Sequence, residues 1–224
     1  MRVLLIKFLK GKFQDIERLE SFPTSILLSY LFERTVMLLR GLLLFRKFCF
    51  VGKSVRFKCT SRIKLGRFAT IHDNCYIDAS SLQGILIEDY CTIGRNNYLR
   101  TGNLSSCNGY FIMRSRSSSN NNCFFGATSG IKIGQNVLIG PNVTIITERH
   151  CISDTHKTIK EQGVEEAPVI IEDNAWIGAS AIILGGTIIS NKAVVGAGSL
   201  VTKPVKEGEI VVGNPARVMR TRGN

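Results

Sequence analysis

From Ile171 to Val205 the chain returns to an aliphatic residue at every sixth position: Ile171, Ile177, Ile183, Ile189, Val195 and Val201. Four residues after each stands a second, mostly small residue: Ala175, Ala181, Thr187, Ala193, Ser199 and Val205. An amphipathic helix repeats every 3.6 residues and a half-buried strand every two, so neither explains the spacing. A period of six fits a triangular coil. Each side is a short strand, each corner a tight turn, and three sides close a coil in about 18 residues. Stacked coils then form parallel strands around an aliphatic ladder. Glycine suits the corners, where a positive φ is required.

The same spacing extends upstream. Ile133, Ile139 and Ile145 form one coil, Leu65, Ile71 and Ile77 another, and Ile87, Ile93 and Leu99 a third. A poorer coil is read on Ile112, Ser118 and Phe124, through the polar run "RSRSSSNNN". The expectation is about six coils, with small corner insertions at "SSLQGILI" and near Asn108. The fold class is therefore all-β, a parallel β-helix of hexapeptide repeats. Its expected bounds are 54–205, after a helical leader at 1–53 and before a C-terminal cap at 206–224. The period breaks at 146–169, a charged loop holding two of the three histidines. A long loop thrown from a rigid scaffold is where chemistry concentrates.

Charge divides the chain. Of the net charge of +12, Met1 to Arg67 carries +11, with 15 Lys/Arg against 4 Asp/Glu. No zinc-finger spacing, RNA-binding aromatic signature or basic zipper accompanies it, so nucleic acid is not the expected partner. "MRVLLIKFLK" is broken by Lys7 and Lys10 and lacks a cleavage site, unlike a secretory signal. The stretch from Ser25 to Phe50 is apolar but interrupted by Glu33, Arg34, Arg40, Arg46 and Lys47. No uncharged run reaches the ~20 residues of a spanning helix. Two readings stand: a segment in peripheral contact with an anionic membrane surface, or helices packed on the main domain or on a neighbouring subunit. Seven cysteines, five spaced by 16 but none in C-x-x-C, are read as reduced thiols. Cys75 and Cys91 occupy the small inward slot, and reduced thiols suit a cytoplasmic location.

"NAWIGASAIILGGTII", "VVGAGSLVTKPV" and "VVGNPARVM" resemble the hexapeptide-repeat acyltransferases. The likeness is to the galactoside and maltose O-acetyltransferases and to enzymes that acetylate capsule or lipopolysaccharide sugars. It is strong from Ile131 to Arg220 and looser from Val55. It implies a left-handed β-helix and a homotrimer with sites between subunits. It also implies acetyl-CoA as co-substrate, a carbohydrate acceptor and no metal. "GPNVTIITERH" is similar to the strand leading to the family's catalytic base, which implies that role for His150. Neutral imidazole is suited to taking a hydroxyl proton near pH 7. Glu148, Asp154 or a backbone carbonyl would orient it. His156 reads as a loop residue, and His72, one past an inward Ile, as outward-facing.

The resemblance places Trp176 beside acetyl-CoA at the substrate pocket. A backbone N–H near Ala179 would face the developing oxyanion. Ala197 would lie against the pantetheine arm, and Thr202, Lys203, Arg217 and Arg220 at the CoA end, where cations meet phosphate. Asn120 and Asn122 fall on the family's Asn-x-Asn pair, with Asn120 expected on the acceptor side. The family's acidic acceptor residue has no match in this leader, so small-sugar specificity does not carry over. The resulting expectation is an O-acetyltransferase acting on a capsular or lipopolysaccharide glycan, or on its lipid-linked precursor. An N-acetyltransferase on an amino sugar is the alternative. A metal-binding or non-catalytic β-helix is a further one, although His72, His150 and His156 lack the spacing of a three-histidine metal site.

Overall fold

In a computed structural model, the described residues, 23–102 and 107–223, form a parallel β-helix of seven turns preceded by the α-helix Thr24–Phe45. The sequence segment "MRVLLIKFLK" lies outside the described residues. Three sheets form the faces of the prism. Face one begins at Phe50–Val51 and climbs through Thr70–Ile71, Thr92–Ile93, Ser118–Ser119, Leu138–Ile139, Trp176–Ile177 and Val194–Val195 to Glu209–Val212. Face two runs from Arg56–Lys58 to Leu200–Val201, and face three from Ile63–Leu65 to Ile188–Ile189.

The period of six is the pitch of these faces. Ile171, Ile177, Ile183, Ile189, Val195 and Val201 are all buried on the axis. So are the residues four further on, from Ala175 to Val205. Cys75 and Cys91 fill that slot as expected, joined by Cys123, and desolvation pushes all three thiols up to about 11. All the cysteines are free.

Two expectations are corrected. The coil count is seven because Val51 and Phe57 make a rung with Leu65. The 3₁₀ turn Thr60–Arg62 interrupts the spacing there and hid that coil from the periodicity. The poor coil is also out by one residue. Its inward residues are Met113, Ser119 and Phe125, paired with Ile133, Ile139 and Ile145. Ile112, Ser118 and Phe124 face outward and are only half-buried. A one-residue slip exchanges the two sides of every strand, and three apolar residues in a row, Phe111 to Met113, gave no alternation to prevent it.

The corners are built mostly without glycine. Between faces one and two the left-handed residues are Ser54, Asn74, Asn96, Asn122, Asn142, Ser180 and Gly198. Asparagine tolerates this region better than other side chains because its short amide bonds locally. The helix Thr24–Phe45 lies against the first strand of face one, burying Leu27, Met37 and Gly41. Gly41 is required there, since a Cβ would sit 2.0 Å from the Cys49 carbonyl oxygen. At the far end, Glu209–Val212 extends face one and Arg217–Thr221 pairs back on it antiparallel. Among the described residues no helix is long and apolar enough to cross a membrane.

Candidate active site

The alternation of the strand Trp176–Ile177 puts Ile177 in the core and Trp176 outward, 54% exposed. Trp176 closes one end of a groove of about 440 Å³ on face one, with His72, Thr92, Asn120, Leu138 and Gly140 along it. Asn120 follows the last residue of its strand, so its side chain stands at the groove's edge. Its Oδ1 accepts the Asn121 N–H at 2.7 Å. Asn122 lies past the groove. It is a corner residue with φ of 60° whose Oδ1 accepts from Asn96 Nδ2 at 3.1 Å. Its part is to turn the chain, and it does not line the groove as Asn120 does.

Along the same edge, between faces one and two, the upper coils are stripped to backbone. A Cβ on Gly140 would meet the Ala179 nitrogen at 2.7 Å, and one on Gly178 would meet the Ala197 nitrogen at 2.6 Å. In lower coils the corner amide is covered by a side chain: Lys53 N–H donates to Asp73, and Arg95 N–H to Asn121. Among the described residues the N–H groups of Ala179 and Ala197 have no acceptor. Both residues are accessible, so this edge offers free donors along a side-chain-free path. At its end Thr202, Lys203 and Arg217 line a cavity of about 190 Å³. Arg220 lies on the same last strand but does not line that cavity; it pairs with Ile210 across the ladder.

His150 comes from a different edge. Between faces two and three the chain leaves the prism as a hairpin, Glu148–His150 against Val164–Glu166, with His150 opposite Val164. The tip carries the short 3₁₀ helix Ile159–Gln162, where Thr158 donates its hydroxyl and its N–H to Glu161. Those bonds hold the Glu161 carboxyl below its ordinary range. His150 is exposed, and neither acidic neighbour orients it. Glu148 pairs with Arg100 at 2.9 Å. Asp154 accepts the His156 N–H and pairs with Lys157. His156 is an exposed loop residue. The hairpin is anchored by buried Thr147, whose Oγ1 donates to the Gly126 carbonyl at 2.8 Å and accepts the Ser129 N–H. Arg100 belongs to no motif, and Gly140 opens the stretch "GPNVTIITERH" with nothing in the sequence to mark its role; only the fold shows what they touch. Among the described residues no group of three or more His, Cys, Asp or Glu is placed to hold a metal ion.

A single chain thus carries Trp176, Asn120, Ala179 and Ala197 on one side and His150 on another. Residues 121–146 and 168–203 match the hexapeptide repeat of succinyl-transferase. The chain is 30% identical to a maltose O-acetyltransferase from Clostridium difficile 630, over 70% of its own length and 68% of that chain, with a TM-score of 0.48. It belongs to the hexapeptide-repeat acyltransferases. To the galactoside O-acetyltransferase of Lactococcus lactis subsp. lactis this hexapeptide-repeat chain is 41% identical over 91 residues, 40% of its length and 42% of the relative's. The chain spans about half or less of the length of the curated relatives it matches first. A variant of AntD, an N-acyltransferase from Bacillus cereus in complex with dTDP-4-amino-4,6-dideoxyglucose and coenzyme A, superposes with a TM-score of 0.54. It covers 80% of this chain and 83% of its own at 20% identity, a likeness of fold.

Proposed function

We propose that this protein transfers acetyl from acetyl-CoA to a sugar hydroxyl, with His150 as general base. The observation that carries the reading is the bare edge with its two free amides. It leads from an aromatic groove at Trp176 towards a largely apolar cavity at the last coil, where Lys203 and Arg217 stand with Thr202 and one acidic residue, Glu209. A pantetheine arm can lie against that edge with its phosphates at the C-terminal end, where Lys203 and Arg217 supply charge. The relatives named as acetyltransferases of galactosides and maltose support a carbohydrate acceptor. We assign it to a capsular or lipopolysaccharide glycan or its lipid-linked precursor. AntD, named as an N-acyltransferase, keeps an amino-sugar acceptor as the second reading.

In this reaction the His150 imidazole takes the acceptor hydroxyl proton as the oxygen attacks the thioester carbonyl. The carbonyl oxygen gains charge, and the Ala179 N–H is placed to donate to it. Collapse forms the ester and breaks the carbon–sulfur bond. The imidazolium returns its proton to the leaving CoA sulfur. No acyl-enzyme is needed, because the thioester is already activated. His150 and the groove lie on different edges, which supports a site shared between subunits; we take the working unit to be the homotrimer that the family resemblance implies, with one subunit's hairpin facing the next subunit's groove. We place it in the cytoplasm. The helix Thr24–Phe45 exposes Leu28, Phe32, Leu39 and Leu43 on one side, a face suited to resting on an anionic membrane.

Incubation with acetyl-CoA and a panel of galactosides, maltosides and amino sugars, read by free CoA and product mass, tests the assignment. Transfer that is lost in His150→Gln supports it. Equal transfer by wild type and His150→Gln removes His150 from the chemistry.

A further inference from the structure

The groove continues beyond Thr92. His72 and Thr92 also line a larger cavity of about 680 Å³ between face one and the N-terminal helix, with Glu33, Arg34, Arg95 and Tyr90. It lies towards the first coils, away from the edge assigned to CoA. Phe68 and Tyr90, at successive corners between faces three and one, stack at 5.4 Å between ring centroids and form one wall. Their left-handed backbones, φ 58° and 62°, are those of the same corner in later coils at Arg116, Asn136, Asn174 and Lys192.

Arg34 is the uncompensated group. Both its terminal nitrogens lie 3.3 Å from Thr70 Oγ1, and its Cζ stands 3.5 Å over the Phe50 ring. Its Nε is buried without an acceptor, and among the described residues no carboxylate comes within ion-pair distance. Burial works against its charge, and Tyr30 and the Glu33 carboxylate offset only part of that. Glu33 is itself shared with Arg95, which meets Glu33 and Asp73, each at 3.6 Å. A half-buried guanidinium with spare donors and no carboxylate in direct contact is costly unless a ligand supplies the anion. His72 beside it is pushed below its ordinary range by burial and then by Arg34 and Arg95, against Asp73 and Glu33, and its Nδ1 also lacks a partner.

We propose that this cavity binds an anionic group of the acceptor, a uronate carboxylate or a sugar phosphate, on the Arg34 guanidinium. Calling the ligand the acceptor rests on the acyltransferase reading; the anion site itself does not. Thr70 and Ser118 are two strands apart on face one, about 10 Å at the usual spacing. The anion therefore sits further from Asn120 than one sugar ring reaches, on a neighbouring unit or linkage of the glycan.

Ligand-observed NMR titrations of galacturonate, galactose 1-phosphate and galactose into the full chain test this, with acetyl-CoA titrated into the same samples. At least one of the two anions is expected to bind where galactose does not, and which one binds names the source. Arg34→Gln is expected to weaken that binding at least tenfold, while Arg34→Lys retains it. Failure of both anions to bind, galactose binding as well as they do, or an unchanged affinity in a folded Arg34→Gln would overturn the site. Acetyl-CoA binding in those samples reports separately on the acyltransferase reading.

Discussion

Met113 and Ile112 are adjacent, alike in size and opposite in consequence. Met113 is fully buried, stacked between Ile87 and Ile133 on face three and sharing its coil with Phe125. Ile112 points away from the axis and is half-exposed. Truncating a buried Met to Ala removes its transfer energy and leaves a cavity, at a cost of roughly 2–5 kcal/mol. In a domain of this size 1 kcal/mol moves the melting midpoint by about 2–4 °C, so Met113→Ala is expected to lose roughly 4–20 °C. Ile112→Ala, losing only partial burial, is expected to cost no more than about 1 kcal/mol. Thermal unfolding by circular dichroism, at two scan rates and with urea midpoints as a second measure, separates them. A larger loss in Ile112→Ala would put the register back one residue and refute the assignment of this coil.

Arg100→Gln cuts the hairpin's ion pair to Glu148 and is expected to lower acetyl transfer by up to about a hundredfold through misplacement of His150. Acetyl-CoA binding should be unchanged, and a matching loss of affinity would show a wider collapse. Desolvation keeps Cys75, Cys91 and Cys123 as neutral thiols at pH 8, so a disulfide reagent should modify exposed Cys59 and Cys107 first. Rapid loss of a buried thiol in the native protein would contradict that packing. His72 has its folded pKa depressed by desolvation, then by Arg34 and Arg95, against Asp73 and Glu33, which raise it. Below about pH 6.5 the unfolded chain binds a proton that the folded chain resists, so stability should fall as the solution is acidified from there. The loss between pH 7.5 and 5 should be smaller in His72→Gln, and an equal loss would place the acid sensitivity elsewhere.

The prism was legible because its physics is one-dimensional. Each coil repeats the same inward positions, so Ile171 to Val205 fixes the architecture before any tertiary contact is known. Legibility failed where the repeat lost contrast: at Phe111–Met113, where three apolar residues adjoin, and at Val51–Leu65, where a 3₁₀ turn breaks the spacing. The same limit applies at the site. Ala179 and Ala197 fall on one edge because they stand one full coil of 18 residues apart, and Trp176 and Asn120 lie beside that edge on face one. His150 stands outside the period, and its placement depends on Thr147 and on the Arg100–Glu148 pair, which join residues far apart in sequence. The repeat turns His72 outward, which holds for the prism alone. The helix Thr24–Phe45 then covers it, and a cavity appears that no repeat position announces.

Isothermal titration of acetyl-CoA into wild type and His150→Gln is the most direct test of the central claim. Binding is expected in both at about one site per chain, because the bare edge and the C-terminal cavity hold the coenzyme while His150 serves the chemistry. No binding to either folded protein would contradict it and leave the hexapeptide repeat as scaffold alone.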